Sequence, residues 1–283
     1  MSQSLIDLGS IAESIRKELK TSDKPVSDKK IQRDYILTGI PGFDKLLDQG
    51  IPVGSNILVS GSAGSGKTIF CLQLLVYNAS QGKNCLFISF EEPEDKLIDH
   101  MRTFGWNPDP LIESGKLKIK RYLTTDIYYE GERSSTGIKA MMARNSDHLL
   151  LDLEPFIIGD EGYKPDIAVV DSLTAVASTF VGKDRGYRFY VERLFRFFEK
   201  IGSTNFLITQ PTKPPERQTE STVEDFLSDG VILLYNVRQG NIRESAIEIL
   251  KMRGVKHEKK IVAMRITDNG IVVYPEQEVF IDI

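Results

Sequence analysis

Cysteine, tryptophan and histidine are scarce in this chain: two, one and three among 283 residues. The two cysteines, Cys71 and Cys85, both stand in apolar runs. They exclude a disulfide framework and read as core thiols of a reducing compartment. His100 and His148 have no partners at metal-ligand spacing, so no histidine-built metal centre is expected from them. No apolar run reaches the ~20 residues of a membrane-spanning helix. Residues 1–20 mix acids and bases without the apolar stretch of a signal peptide. The expectation is a cytoplasmic protein without membrane insertion. An excess of positive charge is also missing: 36 Lys and Arg stand against 40 Asp and Glu, a net charge of −4. Bulk electrostatic attraction to nucleic acid is therefore not favoured, and only a local basic loop would provide it.

What is present suffices for one large core. Hydrophobic residues make up 41% of the chain, and one domain is favoured over two. Residues 1–34 differ from the rest. Leu5, Leu8, Ile11, Ile15 and Leu19 recur at helical spacing, and Ser10 with Glu13 has the form of a capping box. A polar linker follows at 21–30. This extension reads either as a surface helix or as a docking helix for a neighbouring subunit. The domain itself is expected over 35–283. There, short apolar runs alternate with helical patterns: strands at 56–60 (NILVS), 84–90, 116–120, 167–171 (IAVVD) and 205–209, and helices at 69–79, 93–104 and 187–200. Such alternation predicts an α/β fold with a mainly parallel sheet flanked by helices. Strands at 231–237, 246–253, 262–267 and 271–274 follow without helices between them. With the turn signal Asp268-Asn269-Gly270, they predict an antiparallel C-terminal meander. Residues 125–163 read as an insertion.

Gly61-Ser62-Ala63-Gly64-Ser65-Gly66-Lys67-Thr68 matches the phosphate-loop pattern G-x-x-x-x-G-K-[ST] between a strand and a helix. Glycines let the backbone wrap phosphate oxygens closely, and successive N–H groups together with the helix N-terminus supply positive potential. Lys67 is expected to pair with the β- and γ-phosphates of ATP, and Thr68 to bind Mg²⁺. Ile69, next in the helix, adjoins the same cradle. Asp171 ends an apolar strand and suits a magnesium-orienting role, favoured by the phosphate loop upstream; the plainer reading of Asp171-Ser172 is a helix cap. Glu91 and Glu92 follow another strand, at the end of the sheet where ligands bind. One of the pair is expected near the attacking water, with Glu91 also near the metal. The plainer reading is an acidic helix start before Pro93. Thr209-Gln210 closes a further strand and is a candidate γ-phosphate sensor.

Several segments around this loop resemble the KaiC-type ATPases of the RecA superfamily. They are Thr38-Gly39-Ile40-Pro41-Gly42-Phe43-Asp44, Gly50-Ile51-Pro52-Val53-Gly54, Ser89-Phe90-Glu91-Glu92-Pro93, Phe104-Gly105-Trp106, Asp171-Ser172-Leu173-Thr174, the run from Glu224 to Val231, and Ile249-Leu250-Lys251-Met252-Arg253-Gly254 with His257. The resemblance implies a RecA-like P-loop core that assembles as a ring, commonly a hexamer, with ATP at the subunit interfaces. It also implies that Glu91 and Glu92 are paired catalytic glutamates and that Thr103 lies near the nucleotide. Lys251, Met252, Arg253, His257 and Asp268 would contact the ATP of the neighbouring subunit. Lys251 and Arg253, two apart on a strand, would share a face and act on the γ-phosphate in trans. Without the resemblance they read as two solvated cations. The phosphorylatable pair of the clock protein is replaced here by Asp225 and Phe226, so autokinase activity at that place is not expected.

Three functions follow from these residues. The first is a Mg²⁺-dependent ATP hydrolase acting on a protein partner. The second is a nucleotide-dependent binding switch with little turnover, against which the paired glutamates argue. The third is a recombinase-like nucleic-acid protein, using loops at 181–187 (Lys183, Arg185) and 211–222 (Lys213, Arg217). Few aromatics interleave with those cations, so a stacking platform is thin.

Overall fold

The architecture is that of a computed structural model, described over residues 33–123, 163–178, 184–210, 227–239 and 242–280. The N-terminal helix expected before residue 33, most of the insertion at 125–163 and the basic loop at 211–222 lie outside those residues.

The parallel strands are β3 (Asn56–Gly61), β4 (Cys85–Ser89), β5 (Leu117–Arg121), β6 (Ile167–Asp171), β7 (Thr204–Thr209) and β8 (Gly230–Gln239). They lie in the order β8-β3-β7-β6-β4-β5, every neighbouring pair parallel. Helices α1 (Lys67–Ser80), α2 (Glu94–Thr103), α3 (Asp109–Glu113), α4 (Leu173–Ala177) and α5 (Asp184–Ile201) connect them. Side chains of a strand alternate between faces, and two cores result. Ile57, Val59, Phe87, Val169, Phe206 and Ile208 pack with α1 on one side. Leu58, Leu86, Ile88, Val170 and Leu207 pack on the other. There they meet Tyr190, Val191, Leu194, Phe195 and Phe198 of α5, a helical stripe. Strands buried on both faces need nearly continuous apolar runs, which is what these strands carry. Helix α5 begins at Asp184, so part of the loop expected at 181–187 is the first turn of a helix.

The sheet continues antiparallel from β8 through β9 (Ile242–Met252), β10 (Val262–Thr267) and β11 (Gly270–Glu278). Asp268 and Asn269 form the tip between Thr267 and Gly270. A two-stranded sheet, β1 (Tyr35–Ile36) with β2 (Ile51–Pro52), and a 3-10 turn at Phe43–Leu46 precede β3. Gly42 adopts φ +83°, and a side chain there would collide with the Val273 carbonyl of β11, so the segment can lie flat against the meander only as glycine. Among the described residues, no helix is long and apolar enough to cross a membrane.

Candidate functional site

Four segments end together at the carboxyl edge of the parallel sheet. Ser60 of β3 is paired with Thr209 of β7, Val170 of β6 with Leu207 of β7, and Ser89 of β4 with Asp171 of β6. The register brings the phosphate loop, Asp171 and the turn holding Glu91 and Glu92 to one place. In open α/β sheets this is where ligands bind.

Gly64 and Gly66 take φ of +75° and +94°, conformations costly for any other residue. Lys67 Nζ donates to the Gly61 and Ser62 carbonyls at 2.8 and 2.9 Å. The ammonium thus curls over its own loop, inside the space the loop encloses. Burial pulls its pKa down, opposed by the charges of Asp171 and Glu91. Ser65 Oγ is buried with no hydrogen-bond partner among the described residues. A cation held by carbonyls and an unpaired hydroxyl are what a phosphate-binding loop offers an anion. Ile69 is half-buried against the core behind the loop.

Thr68 Oγ1 donates to Asp171 Oδ2 at 2.8 Å. Burial raises the Asp171 carboxyl to about 6. The Thr68 hydrogen bond and Lys67 oppose the rise, while the carboxylates of Glu91 and Glu92 add to it. A hydroxyl and a single carboxylate, both hard oxygen donors, suit Mg²⁺, which takes one or two carboxylates together with phosphate oxygens. Among the described residues no group of three or more His, Cys, Asp or Glu side chains is arranged for a metal. One turn along α1, Cys71 is buried, and burial pushes its thiol well above the usual value. It is a core thiol without thiolate character.

Glu91 and Glu92 follow β4 in a turn organised by Ser89. Its Oγ accepts the N–H groups of Glu91 and Glu92 at 3.3 and 2.9 Å and donates to the Glu92 carbonyl at 2.7 Å. The two carboxylates diverge. Glu91 Oε1 accepts from Ser172 Oγ at 2.5 Å, whereas Glu92 Oε2 lies 3.8 Å from His100 Nδ1 on α2. Ser172, joined to Asp171 by a cis peptide, is also the N-cap of α4, accepting the Ala175 N–H at 3.1 Å. The helix cap at Asp171-Ser172 is thus Ser172, which leaves the Asp171 carboxylate to Thr68. The sequence gives no local sign that Ser89 and Ser172 are partners of the glutamates. Their contacts depend on the β4–β6 register, which no local pattern reveals.

The remaining candidates spread out. The Gln210 N–H donates to Thr174 Oγ1 at 2.7 Å, tying the end of β7 to α4. Thr103 is exposed and gives its hydroxyl to the Asp99 carbonyl of its own helix. Met252 has its side chain buried in the core, because its place on β9 faces Gly230 and Ile57. The expected shared strand face of Lys251 and Arg253 is corrected, for β9 ends at Met252 and the turn at Gly254 takes Arg253 off the strand. The two still converge. Lys251 Nζ donates to the Ser228 carbonyl at 2.6 Å, and Arg253 Nη1 lies 3.4 Å from Asp229 Oδ1. His257 bridges to Leu47 and keeps Nε2 buried without a partner among the described residues.

Strand register separates this basic group from the phosphate loop. Met252 is level with Gly230 and Ile57, four positions before Gly61 on β3, or about 13 Å at the usual strand rise. Arg253 lies beyond that, at the opposite end of the sheet. Asp268 belongs to neither the strand nor the end that holds Lys251, Arg253 and His257. Its hairpin projects at the phosphate-loop end. A Cβ at Gly66 would meet Ile266 Cδ1 at 3.1 Å, and Gln73 of α1 exchanges two hydrogen bonds with the backbone of Ile271. Asp268 thus stands at the phosphate-loop end, apart from Lys251, Arg253 and His257.

Comparison with known proteins agrees with this architecture. The family model described as the KaiC ATPase matches residues 36–278. The circadian clock oscillator protein KaiC of Acaryochloris marina is 32% identical over 264 residues, covering 91% of this chain and 46% of that protein. Its counterpart from Synechococcus elongatus is 33% identical over 245 residues, covering 84% of this chain and 44% of that protein. The chain thus spans less than half the length of these curated relatives. Among solved structures, a KaiC-like protein from the hyperthermophilic archaeon Pyrococcus horikoshii OT3 superposes with a TM-score of 0.66 at 26% identity, covering 86% of this chain and all of that one.

Proposed function

Because the chain belongs to the KaiC family of ATPases, we propose that it is a Mg²⁺-dependent ATP hydrolase working as a ring of identical subunits. What supports hydrolysis above all is the hydrogen bond that fixes Glu91 beside Asp171 and Thr68 at the mouth of the phosphate loop. Residues 61–68 cradle the phosphates, and Lys67 leaves its carbonyl partners for the β- and γ-oxygens. Thr68 and Asp171 would hold the magnesium ion, which supplies charge neutralisation across those oxygens when bound. Glu91 orients a water for in-line attack and accepts its proton as the γ-phosphorus–oxygen bond to ADP breaks. Glu92 adds negative charge near the site and is steered outward toward His100.

Ring assembly is inferred from the distance between the two ends of the sheet. Lys251 and Arg253 stand too far along it to touch the nucleotide of their own loop, and a nucleotide on an adjacent copy is the target that their charge fits. Light scattering on size-exclusion fractions tests this part: Mg²⁺·ATP is expected to produce a multi-subunit species. A monomer under all nucleotide conditions would remove the in-trans role.

A further inference from the structure

Resting on the reading of the phosphate loop as a nucleotide site, we infer that Trp106 is a positioning residue for the nucleoside half of the nucleotide. It fixes the tip of the β10–β11 hairpin where base and ribose leave the loop. Sheet order gives the direction. Asp171 ends β6 and Glu91 follows β4, and both strands lie on one side of β3, whereas β10 and β11 lie on the other. A nucleotide with its γ-phosphate toward Glu91 therefore carries its nucleoside away from β6 and β4, toward the hairpin. Hairpin and loop meet at Gly66, where an added Cβ would stand 3.1 Å from Ile266 Cδ1. Ile266 is an exposed apolar side chain, and Asp268 and Asn269 beyond it are exposed as well. An apolar shelf with a few polar groups at its rim is the surface that a base and its ribose require.

The tip sets its own shape. Thr267 Oγ1 donates to the Gly270 carbonyl at 2.8 Å and accepts the Asn269 N–H at 3.2 Å. Its placement comes from outside. Trp106 Nε1 donates to the Asn269 carbonyl at 3.1 Å. A Cβ on Gly270 would fall 2.5 Å from Trp106 Cζ2 and 2.6 Å from Gln73 Oε1, so the tip is pinched between the indole and α1 in a gap that only glycine fits. Gln73 fixes the start of β11, and Trp106 is the side chain that reaches the tip itself. The indole is held in turn. The Trp106 N–H donates to the Met101 carbonyl at 3.0 Å, and the ring stacks on Phe104 with 5.0 Å between centroids. Both aromatics follow α2, which is seated by the buried Leu97 and Met101. Packing and hydrogen bonding that lock a supporting side chain are what hold a ligand-facing segment in one geometry.

Calorimetric titration of the full chain with ADP and with pyrophosphate tests this in Trp106→Ala and Trp106→Phe. Pyrophosphate fills the phosphate loop without a nucleoside. Trp106→Ala is expected to weaken ADP about tenfold. Trp106→Phe, which keeps an aromatic ring on Phe104 and loses the N–H, is expected to weaken it about threefold. Pyrophosphate affinity is expected to stay at the wild-type value in both. In steady-state phosphate release, KM for ATP rises by the same factors with kcat retained, the sign of binding shared by ground and transition states. Trp106→Phe carries the test should Trp106→Ala melt early. Wild-type ADP affinity in the folded variant would overturn the positioning role. So would ADP and pyrophosphate weakened alike, since the effect would then lie in the loop. Wild-type protein that binds neither ligand would instead sink the nucleotide reading beneath it.

Discussion

Ser172 Oγ donates to Glu91 Oε1 at 2.5 Å while accepting the N–H of Ala175 in the first turn of α4. One hydroxyl thus orients the proposed base and caps a helix. Ser172→Ala is expected to lower kcat about tenfold with ATP affinity unchanged, and to cost about 1 kcal/mol of stability from the lost cap. Turnover and thermal melts on the same preparation separate the two effects. An unchanged kcat with only the melt lowered would restrict Ser172 to its capping role.

Asp171 carries a stability cost that magnesium is expected to relieve. Its folded pKa of about 6 lies above the unfolded value because burial disfavours the carboxylate. The cost is absent below the unfolded value of about 4, grows as pH rises and is complete above the folded value. Asp171→Asn, which keeps an acceptor for Thr68, is expected to stabilise the nucleotide-free protein by about 2 kcal/mol at pH 7.5 and not at pH 4. In Mg²⁺·ATP the order reverses, since only the carboxylate binds the ion well. Melting temperatures across pH, with and without Mg²⁺·ATP, check both signs.

Gln73 holds the start of β11 through both groups of its amide, donating to the Ile271 carbonyl at 3.2 Å and accepting its N–H at 2.7 Å. Gln73→Leu leaves two buried backbone groups unpaired and is expected to cost about 2–4 kcal/mol. Because the hairpin borders the phosphate loop at Gly66, the weakened protein is also expected to bind ATP less tightly. Denaturant unfolding and nucleotide titration measure the two consequences.

Complementation tests whether sites are shared between subunits. A Lys67→Ala subunit keeps its basic pair, and an Arg253→Ala subunit keeps its loop. Mixed one to one, two inactive variants are expected to recover about a quarter of wild-type turnover, the share of interfaces that pair an intact loop with an intact arginine. A mixture no more active than its parts would place Arg253 outside the neighbour's site.

Much of this fold is legible in the sequence, and the reason is burial. The run 167–171 is β6 residue for residue because a strand covered on both faces must be apolar throughout until it reaches the acid at its end. The phosphate loop is legible because its chemistry constrains residue type at fixed spacing. The short elements β1, β2, α3 and α4 carry too few residues to show a period. Motif alone groups Met252 and Asp268 with Lys251 and Arg253, and a motif does not say which way a side chain faces. Met252 faces its own core, and Asp268 stands at the far end of the sheet. Ser89 and Ser172 meet the two glutamates through tertiary neighbours that only the strand register brings together.

The central claim is that Glu91 serves hydrolysis at the phosphate loop, and phosphate release from Mg²⁺·ATP by Glu91→Gln tests it most directly. The amide keeps the shape and an acceptor for Ser172 but cannot take the proton of the attacking water. The account predicts a fall in kcat of about 10²-fold or more with ATP binding retained. Turnover of Glu91→Gln at the wild-type rate would contradict it.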